Sequence, residues 1–237
     1  LDAGVNLFDT ADGYGMGQSE FYTGKALRNK RTEVYIATKV GNWGRRYDDP
    51  PGLKSIYSII NCCHASLYRL ATDYIDLYQC HRFDPETDLE QTLYAFDDLV
   101  RAGKILYLAV SNWAAYQIAT ALGLSRKERV AEFQCIQPMY NLVKRQAEVE
   151  LLPLAEQENL AVVPYSPLGG GLLTGKYGVN LKPDSGRFIE RDMYAKRYSL
   201  EQYYETADRF TAHARERDVN PATLGVAWVM SHPVVTA

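Results

Sequence analysis

The chain lacks the features that mark membrane proteins, disulfide-stapled proteins and nucleic-acid-binding proteins. No run of about 18 apolar residues occurs, so no membrane-spanning helix is predicted. The four cysteines, Cys62, Cys63, Cys80 and Cys135, include no C-x-x-C pair, so we expect reduced thiols of a cytoplasmic protein and no metal site. The net charge of -3 argues against nucleic acid or an anionic membrane as partner. The first residues, with Asp2 and no basic start, are not expected to form a signal peptide.

The sequence also lacks the G-x-G-x-x-G fingerprint of an open dinucleotide-binding sheet, since Gly13, Gly15 and Gly17 alternate in another context. Short apolar runs alternate with segments of helical period, and this alternation predicts an α/β fold with a parallel sheet. A closed (β/α)8 TIM barrel and an open doubly wound sheet both satisfy the pattern. The missing fingerprint favours the barrel, and we expect one domain over residues 1–237.

The individual elements can be placed from periodicity and turn residues. Strands are predicted at residues 6–9, 34–39, 75–81, 105–111, 135–140 and 160–165, and helices at residues 19–28, 55–70, 89–102, 114–122, 146–158 and 201–217. Asp88 is expected to cap the helix at 89–102, and Asn220 with Pro221 to start a further helix. Residues 179–199 are predicted to form a long loop, and the final HPVVTA to begin another strand.

Polar residues stand at the ends of several predicted strands. Asp9, Lys39 and His81 each end an apolar run, and Tyr14 follows Asp9 in DGYG. Each alone is more often an ordinary loop or capping residue, but together at one rim of a parallel sheet they suggest a site. A phenol with a pKa of about 10 becomes a better proton donor beside an ammonium group. The pattern therefore indicates protonation of a carbonyl oxygen during hydride transfer, with Tyr14 as acid.

A glycine-rich run, PYSPLGGGLLTGK, follows the strand predicted at 160–165. Its backbone N–H groups and Lys176 could wrap a pyrophosphate, although glycines in such a turn often serve geometry alone. Tyr165 could stack on a flat ring, and Ser111, Asn112 and Gln137 could bracket a carboxamide. Trp43 and Trp113 follow two strand ends, where they either line a substrate pocket or pack under a loop.

Six stretches of the chain resemble the aldo-keto reductase superfamily, closest to bacterial members that resemble potassium-channel β subunits. They are DAGVNLFDTADGYGMGQSE, YIATKVG, DYIDLYQCHRFD, AGKILYLAVSNW, CIQPMYN and PYSPLGGGLLTGKY, running from residue 2 to about residue 178. The resemblance implies a catalytic tetrad of Asp9, Tyr14, Lys39 and His81. It implies cofactor contacts at Ser111, Asn112, Gln137, Tyr165, Ser166, Pro167, Leu168, Gly169, Gly171, Lys176 and Arg187.

The resemblance further implies a (β/α)8 barrel that binds NADP(H) and reduces an aldehyde or ketone, the small-molecule partner. Compared with the family pattern, the barrel is expected to be truncated at both ends, with its first strand missing and its eighth incomplete. Two alternatives stay open at this stage. One is a nicotinamide-binding regulatory subunit that senses redox state with little turnover, and the other is a barrel enzyme that acts on phosphate substrates.

Overall fold

A computed structural model describes residues 1–41 and 56–237 and divides the chain into two compact units, Leu1–Ile136 and Gln137–Ala237. The first unit carries the strands β1 (Leu7–Asp9), β2 (Tyr35–Val40), β3 (Ile75–Cys80), β4 (Ile105–Ser111) and nearly all of β5 (Phe133–Gln137). Its helices are α1 (Gln18–Leu27), α2 (Ile56–Leu70), α3 (Leu89–Arg101) and α4 (Ala115–Glu128), with a 3-10 turn at Arg31–Glu33. The expectation of a single domain over residues 1–237 stays a prediction.

The strands of the first unit lie in sequence order, each beside the one before it. The pairings of β1 with β2, β2 with β3 and β3 with β4 are all parallel. Each connection carries a helix, as parallel neighbours require. The prediction of an α/β fold with a parallel sheet is confirmed, and the sequential strand order is the one that a (β/α)8 barrel uses.

One face of this sheet packs against the helices. Tyr78 of β3 is fully buried and meets Phe96 of α3 with ring centroids 5.6 Å apart, and Phe96 in turn lies 6.0 Å from Phe133 of β5. Asp88 caps α3 as expected, because its carboxylate accepts a hydrogen bond from the Glu90 backbone N–H at 3.2 Å. Side chains alternate along a strand, so the residues on either side of Tyr78 face away from the helices.

The close approach of α1 and α2 depends on Gly24. A Cβ atom at this position would lie 2.2 Å from the Leu70 carbonyl oxygen, which belongs to backbone and cannot rotate away. We expect Gly24→Ala to lower the free energy of unfolding by roughly 2–3 kcal/mol because the two helices must separate. Gly123→Ala in α4 is the matched control, since nothing lies within 4 Å of its Cβ position. That change should stabilise the helix by about 0.5–1 kcal/mol, and urea unfolding of the two variants measures both effects.

The second unit is mainly helical. It holds α5 (Leu151–Gln157), β6 (Ala161–Val162), α6 (Arg187–Glu190), α7 (Asp192–Arg197), α8 (Glu201–Arg215) and α9 (Pro221–Met230), with 3-10 turns at Gln146–Glu148 and Gly169–Thr174. Asn220 caps α9 through its side-chain oxygen, as expected. The HPVVTA segment does not form the expected strand, although the Thr236 backbone N–H donates to the Val162 carbonyl of β6 at 2.8 Å.

Three further sequence expectations were wrong in this unit. The helix predicted at 146–158 is broken into a 3-10 turn and α5, because Glu150 leaves the helical region with φ at -137°. The strand predicted at 160–165 shrinks to Ala161–Val162, since Pro164 has no N–H to donate and Ser166 has a left-handed φ of 59°. The loop predicted at 179–199 contains α6 and α7.

The core of the second unit is aromatic. Tyr177 stacks on Phe188 with centroids 4.5 Å apart, and Phe188 stacks on Tyr198 at 5.5 Å. Leu172 and Leu173 of the glycine-rich segment are fully buried in the same cluster. The two leucines therefore anchor the segment in the core of this unit. None of the helices within residues 1–41 and 56–237 is long and apolar enough to cross a membrane.

Candidate active site

Strand register places the predicted polar residues on one face of the first unit's sheet. Asp9 pairs in register with Ala37, and Lys39 pairs with Gln79. Residues two apart on a strand share a face, so Asp9, Lys39 and Gln79 project to the same side. His81 directly follows β3, and its backbone N–H donates to Val40 O at 2.8 Å, which continues the ladder. The shared face is the one turned away from Tyr78 and the helices.

Lys39 lies at the centre of the hydrogen bonds on this face. Its ammonium group donates to Asp9 Oδ2 at 2.5 Å and to the Thr10 carbonyl at 2.8 Å. The other oxygen of Asp9, Oδ1, accepts from Gln79 Nε2 at 3.0 Å. The Lys39 side chain is fully buried, whereas that of Asp9 is 32% exposed. A buried ammonium is thus paired with a carboxylate that reaches solvent.

Tyr14 and His81 stand beside this pair. The Lys39 ammonium lies 5.3 Å from the centroid of the Tyr14 ring. The Tyr14 and His81 rings meet edge to face, with centroids 5.9 Å apart and an interplanar angle of 80°. His81 is nearly buried and Tyr14 is 41% exposed, so solvent reaches the phenol as well as the Asp9 carboxylate. The structure brings the four predicted residues together.

Hydrogen bonds hold the loop that carries Tyr14 at both of its ends. Thr10 Oγ1 donates to Ser19 Oγ at 2.7 Å, and the Ser19 backbone N–H donates to the Tyr14 carbonyl at 3.2 Å. Gly17 directly precedes α1 with a left-handed φ of 87°, and a Cβ there would lie 2.7 Å from Arg69 Cδ. The turn therefore needs glycine at this position for both conformation and space.

Burial shifts the pKa of two groups around Lys39. Desolvation lowers the pKa of Lys39, and the neighbouring Asp9 carboxylate opposes that change. Asp12, whose backbone N–H donates to Lys39 O at 3.3 Å, has its pKa raised to about 7, first by burial and then by the charge of Glu20. Glu20 is fully buried and accepts from Thr38 Oγ1 and Arg69 Nε, each at 2.6 Å. A second acidic group therefore lies next to the Lys39 strand end.

The raised pKa of Asp12 makes stability depend on pH. Between about pH 4 and pH 7 the folded chain keeps a proton on Asp12 that the unfolded chain has released, so the free energy of unfolding falls as the pH rises. Asp12→Asn should remove this loss, and we expect the variant to gain about 3–4 kcal/mol over wild type on going from about pH 4 to about pH 8. Urea unfolding at both values measures the change. Asp2→Asn, at an exposed residue, is the control; an equal gain at both pH values for Asp12→Asn would contradict the prediction.

Ser111 and Asn112, expected as cofactor contacts, lie beside His81. Asn112 Nδ2 donates to the His81 carbonyl at 2.9 Å and to Ser111 Oγ at 3.1 Å, and Asn112 has a left-handed φ of 58°. Trp113 is 5% exposed and packs edge to face on Phe83 at 4.9 Å. It therefore lies in a row of aromatic side chains next to the rim. Trp43, the other predicted pocket residue, is outside the described residues.

The second unit gathers the predicted phosphate-binding residues around one cleft. A cavity of about 420 Å³ is lined by Ser166, Pro167, Leu168, Gly170, Gly171, Lys176 and Arg187. Six of these seven residues were expected from the sequence, and Gly170 lines the cleft in place of the expected Gly169. The lining combines backbone with two cationic side chains, which suits an anionic ligand.

Four glycines of this segment adopt left-handed backbone. Gly169, Gly170, Gly171 and Gly175 all have left-handed φ values, of 58°, 71°, 109° and 80°. A Cβ on Gly171 would lie 3.2 Å from Lys176 Cε and would crowd the cationic wall of the cleft. The Gly169 and Gly171 backbone N–H groups already donate to the Ser166 and Leu168 carbonyls, so the attraction of the cleft for an anion comes from Lys176 and Arg187. The residues present therefore fit the pyrophosphate of a nicotinamide cofactor.

Gln137 and Tyr165 lie on neighbouring backbone segments of the second unit. The Tyr165 backbone N–H donates to the Pro138 carbonyl at 2.9 Å, and Met139 forms a parallel bridge with Tyr165. Asn141, which sequence reasoning missed, is fully buried and donates from Nδ2 to the Ser166 carbonyl at 3.0 Å. Its place directly after an apolar run was the signal that could have identified it. Gln79 was missed as well, although it stands two residues before His81.

A family model described as "Aldo/keto reductase family" matches residues 1–237, and the chain belongs to this family. Relatives include an "uncharacterized oxidoreductase YrpG" of Bacillus subtilis, 37% identical over 100% of this chain and 74% of its own length. A "probable voltage-gated potassium channel subunit beta" of Arabidopsis thaliana is 34% identical over 100% of this chain and 73% of its own. An "aldo-keto reductase YhdN" of Bacillus subtilis is 34% identical over 98% and 69%.

The match confirms the resemblance seen in the sequence. Membership of this family implies a (β/α)8 barrel, which the parallel strands in sequence order fit. It also supports oxidoreductase activity; enzymes of this family act on small-molecule carbonyl substrates and generally use NAD(P)H.

Proposed function

We propose that the chain is an NADP(H)-dependent carbonyl reductase that converts aldehydes or ketones to alcohols. The observation that carries the proposal is the cluster on one sheet face, in which Lys39 is bonded to Asp9 and lies 5.3 Å from the Tyr14 ring. When bound, the reduced nicotinamide supplies a hydride to the carbonyl carbon. The chain's own residues then have to protonate the oxygen on which negative charge develops.

We assign the proton donor to Tyr14. Its ring is exposed to solvent and so to substrate, and the Lys39 ammonium nearby stabilises negative charge as the phenolic proton leaves. Asp9 holds the ammonium in place, since its carboxylate accepts from Lys39 Nζ at 2.5 Å. His81, edge to face with Tyr14, orients the carbonyl oxygen toward the phenol. Trp43 and Trp113 are proposed to line the substrate pocket.

We assign cofactor binding to two sets of residues. Ser166, Pro167, Leu168, Gly169, Gly171, Lys176 and Arg187 hold the pyrophosphate and adenosine parts, and Ser111, Asn112, Gln137 and Tyr165 hold the nicotinamide. The cleft with Lys176 and Arg187 in its lining supports the first assignment. NADP(H) is preferred over NAD(H) in this proposal because Arg187 offers a guanidinium for a second phosphate. All four cysteines are free thiols, in keeping with the proposed cytoplasmic location.

A regulatory role is the second candidate, because relatives at 34% identity carry the name of potassium-channel β subunits. In that case the chain would bind the nicotinamide and sense redox state with little turnover. The intact group of Asp9, Tyr14, Lys39 and His81 favours the reductase, since cofactor binding alone does not require a proton donor in a carbonyl site.

Cofactor titration and a turnover assay test the proposal together. Binding is followed by quenching of protein fluorescence with NADPH and with NADH, and turnover by oxidation of NADPH with 4-nitrobenzaldehyde. We expect tighter binding of NADPH and formation of one alcohol per NADPH oxidised. Binding without alcohol formation from any aldehyde or ketone would favour the regulatory role. Absence of nicotinamide binding would overturn both candidates.

A further inference from the structure

Gln79 is a buried polar residue that the proposed mechanism does not use. It lies in the middle of the sheet, in register with Lys39 on the neighbouring strand, and is fully buried. Its Nε2 donates to Asp9 Oδ1 at 3.0 Å. Within the part of the chain that the structure describes, its Oε1 has no hydrogen-bond partner. The amide nitrogen of Gln79 is therefore hydrogen-bonded to Asp9, whereas its amide oxygen is not hydrogen-bonded to any described residue.

We propose that Gln79 is a positioning residue, which fixes the Asp9 carboxylate in the orientation that pairs with Lys39. This inference rests on the proposed carbonyl reductase function, in which that pair acts on Tyr14. The two oxygens of Asp9 are held from two strands, Oδ1 by Gln79 of β3 and Oδ2 by Lys39 of β2. With both oxygens bonded, the carboxylate cannot rotate without breaking a hydrogen bond.

Asp9 needs such an anchor because of its place in the fold. It ends β1, which is only three residues long, and its side chain is 32% exposed. A carboxylate at the end of a short strand can turn toward water, which solvates its charge. Gln79 is buried and cannot follow it, so the hydrogen bond holds Asp9 on the Lys39 side.

The pairing matters because Lys39 depends on Asp9 for its charge. Burial lowers the pKa of the Lys39 ammonium, and Asp9 is the first group that opposes this effect, followed by Asp12. If Asp9 turns away, Lys39 loses its proton at a lower pH. Tyr14 then lies beside a neutral amine and becomes a poorer acid. Loss of Gln79 should therefore appear as a change in pH dependence more than as a change in substrate binding.

A positioning role for Gln79 predicts that its replacement lowers activity without lowering stability. A buried amide that leaves one polar atom without a partner costs free energy, so a methionine of similar length should be tolerated or should stabilise the fold. If Gln79 had a structural role instead, Gln79→Met would lower the free energy of unfolding. Gln79→Met therefore separates the two roles through stability and activity measured on one variant.

The experiment compares wild type with Gln79→Met, Gln79→Glu and the control Tyr78→Phe. Tyr78 is the adjacent buried residue on β3, with its hydroxyl also lacking a partner among residues 1–41 and 56–237, but it faces α3. For Gln79→Met we expect kcat to fall roughly tenfold and the KM for 4-nitrobenzaldehyde to stay within about twofold of wild type. The pH at which kcat falls to half on the alkaline side should decrease by about one pH unit. Gln79→Glu can donate to Asp9 only when protonated, so its activity should recover toward wild type as the pH falls. Tyr78→Phe should leave all of these values unchanged.

An unshifted pH profile in Gln79→Met, or a loss of stability that accounts for the loss of activity, would overturn the proposal. A readout without turnover keeps it separate from the reductase assignment. The pH titration of the Lys39 side chain, followed by carbon-13 NMR and assigned with Lys39→Arg, should have its midpoint at lower pH in Gln79→Met. If wild type reduces no carbonyl but this midpoint moves, the reductase function fails and the positioning role stands. If the midpoint does not move, the positioning role is refuted whether or not wild type is active.

Discussion

Replacing Tyr14 by phenylalanine is expected to lower kcat for aldehyde reduction by roughly 100- to 10,000-fold, the range that a general acid contributes. The variant removes only the phenolic hydroxyl. The edge-to-face contact of the ring with His81 at 5.9 Å and the backbone bonds of the turn do not involve that oxygen. The loss should therefore fall on the protonation step, and the reaction should retain only the proton that water supplies.

Two further measurements make the Tyr14→Phe result specific. NADPH affinity should stay within about twofold of wild type, because cofactor binding is assigned to other residues. Tyr116→Phe, at an exposed tyrosine of α4, should leave kcat unchanged and controls for the loss of a hydroxyl. A Tyr14→Phe variant that keeps more than about half of the wild-type kcat would remove Tyr14 from the mechanism.

Replacing Arg31 by alanine is expected to reduce the free energy of unfolding by roughly 3–5 kcal/mol, a large part of what a domain usually has. The Arg31 guanidinium donates to Asp76 Oδ2 at 2.6 Å, to the Tyr74 and Val34 carbonyls and to Thr72 Oγ1. The Asp76 side chain is only 8% exposed. The variant leaves that carboxylate buried without its cation, and it cuts the link between the starts of β2 and β3.

Lys30→Ala is the matched control for Arg31→Ala. Lys30 precedes Arg31 in the sequence and pairs with Glu33 at 3.2 Å, but both of these side chains are about half exposed. Its loss should cost less than about 1 kcal/mol. Urea unfolding of the two variants gives the comparison, and equal costs would show that the buried network does not hold the strand starts together.

The residues at the strand ends could be predicted from the sequence because simple rules place them. Asp9, Lys39 and His81 each end an apolar run, and parallel strands bring such ends to one rim. The same rule does not identify Gln79, because this residue lies inside a strand. The sequence offers nothing that distinguishes a glutamine at such a position from other polar residues within strands. Only the register of β2 with β3 shows that it reaches Asp9.

Interactions that depend on helix packing were beyond reach of the sequence. The raised pKa of Asp12 arises from burial and from Glu20, whose own position depends on how α1 meets α2. The short helices α6 and α7 lie in a polar stretch without clear periodicity, and the contact of Phe188 with Tyr177 and Tyr198 fixes the first of them. These features depend on tertiary packing, and no local sequence pattern predicts them.

We propose above that this chain passes hydride from a reduced nicotinamide to a carbonyl carbon while Tyr14 protonates the oxygen. The most direct measurement is a single-turnover reaction of 4-nitrobenzaldehyde with NADPH deuterated at the transferred position, with the alcohol analysed by mass spectrometry. The expected result is deuterium on the carbinol carbon at a rate that Tyr14→Phe reduces by at least about 100-fold. Bound cofactor with no labelled alcohol, or labelled alcohol at the same rate in Tyr14→Phe, would contradict the claim.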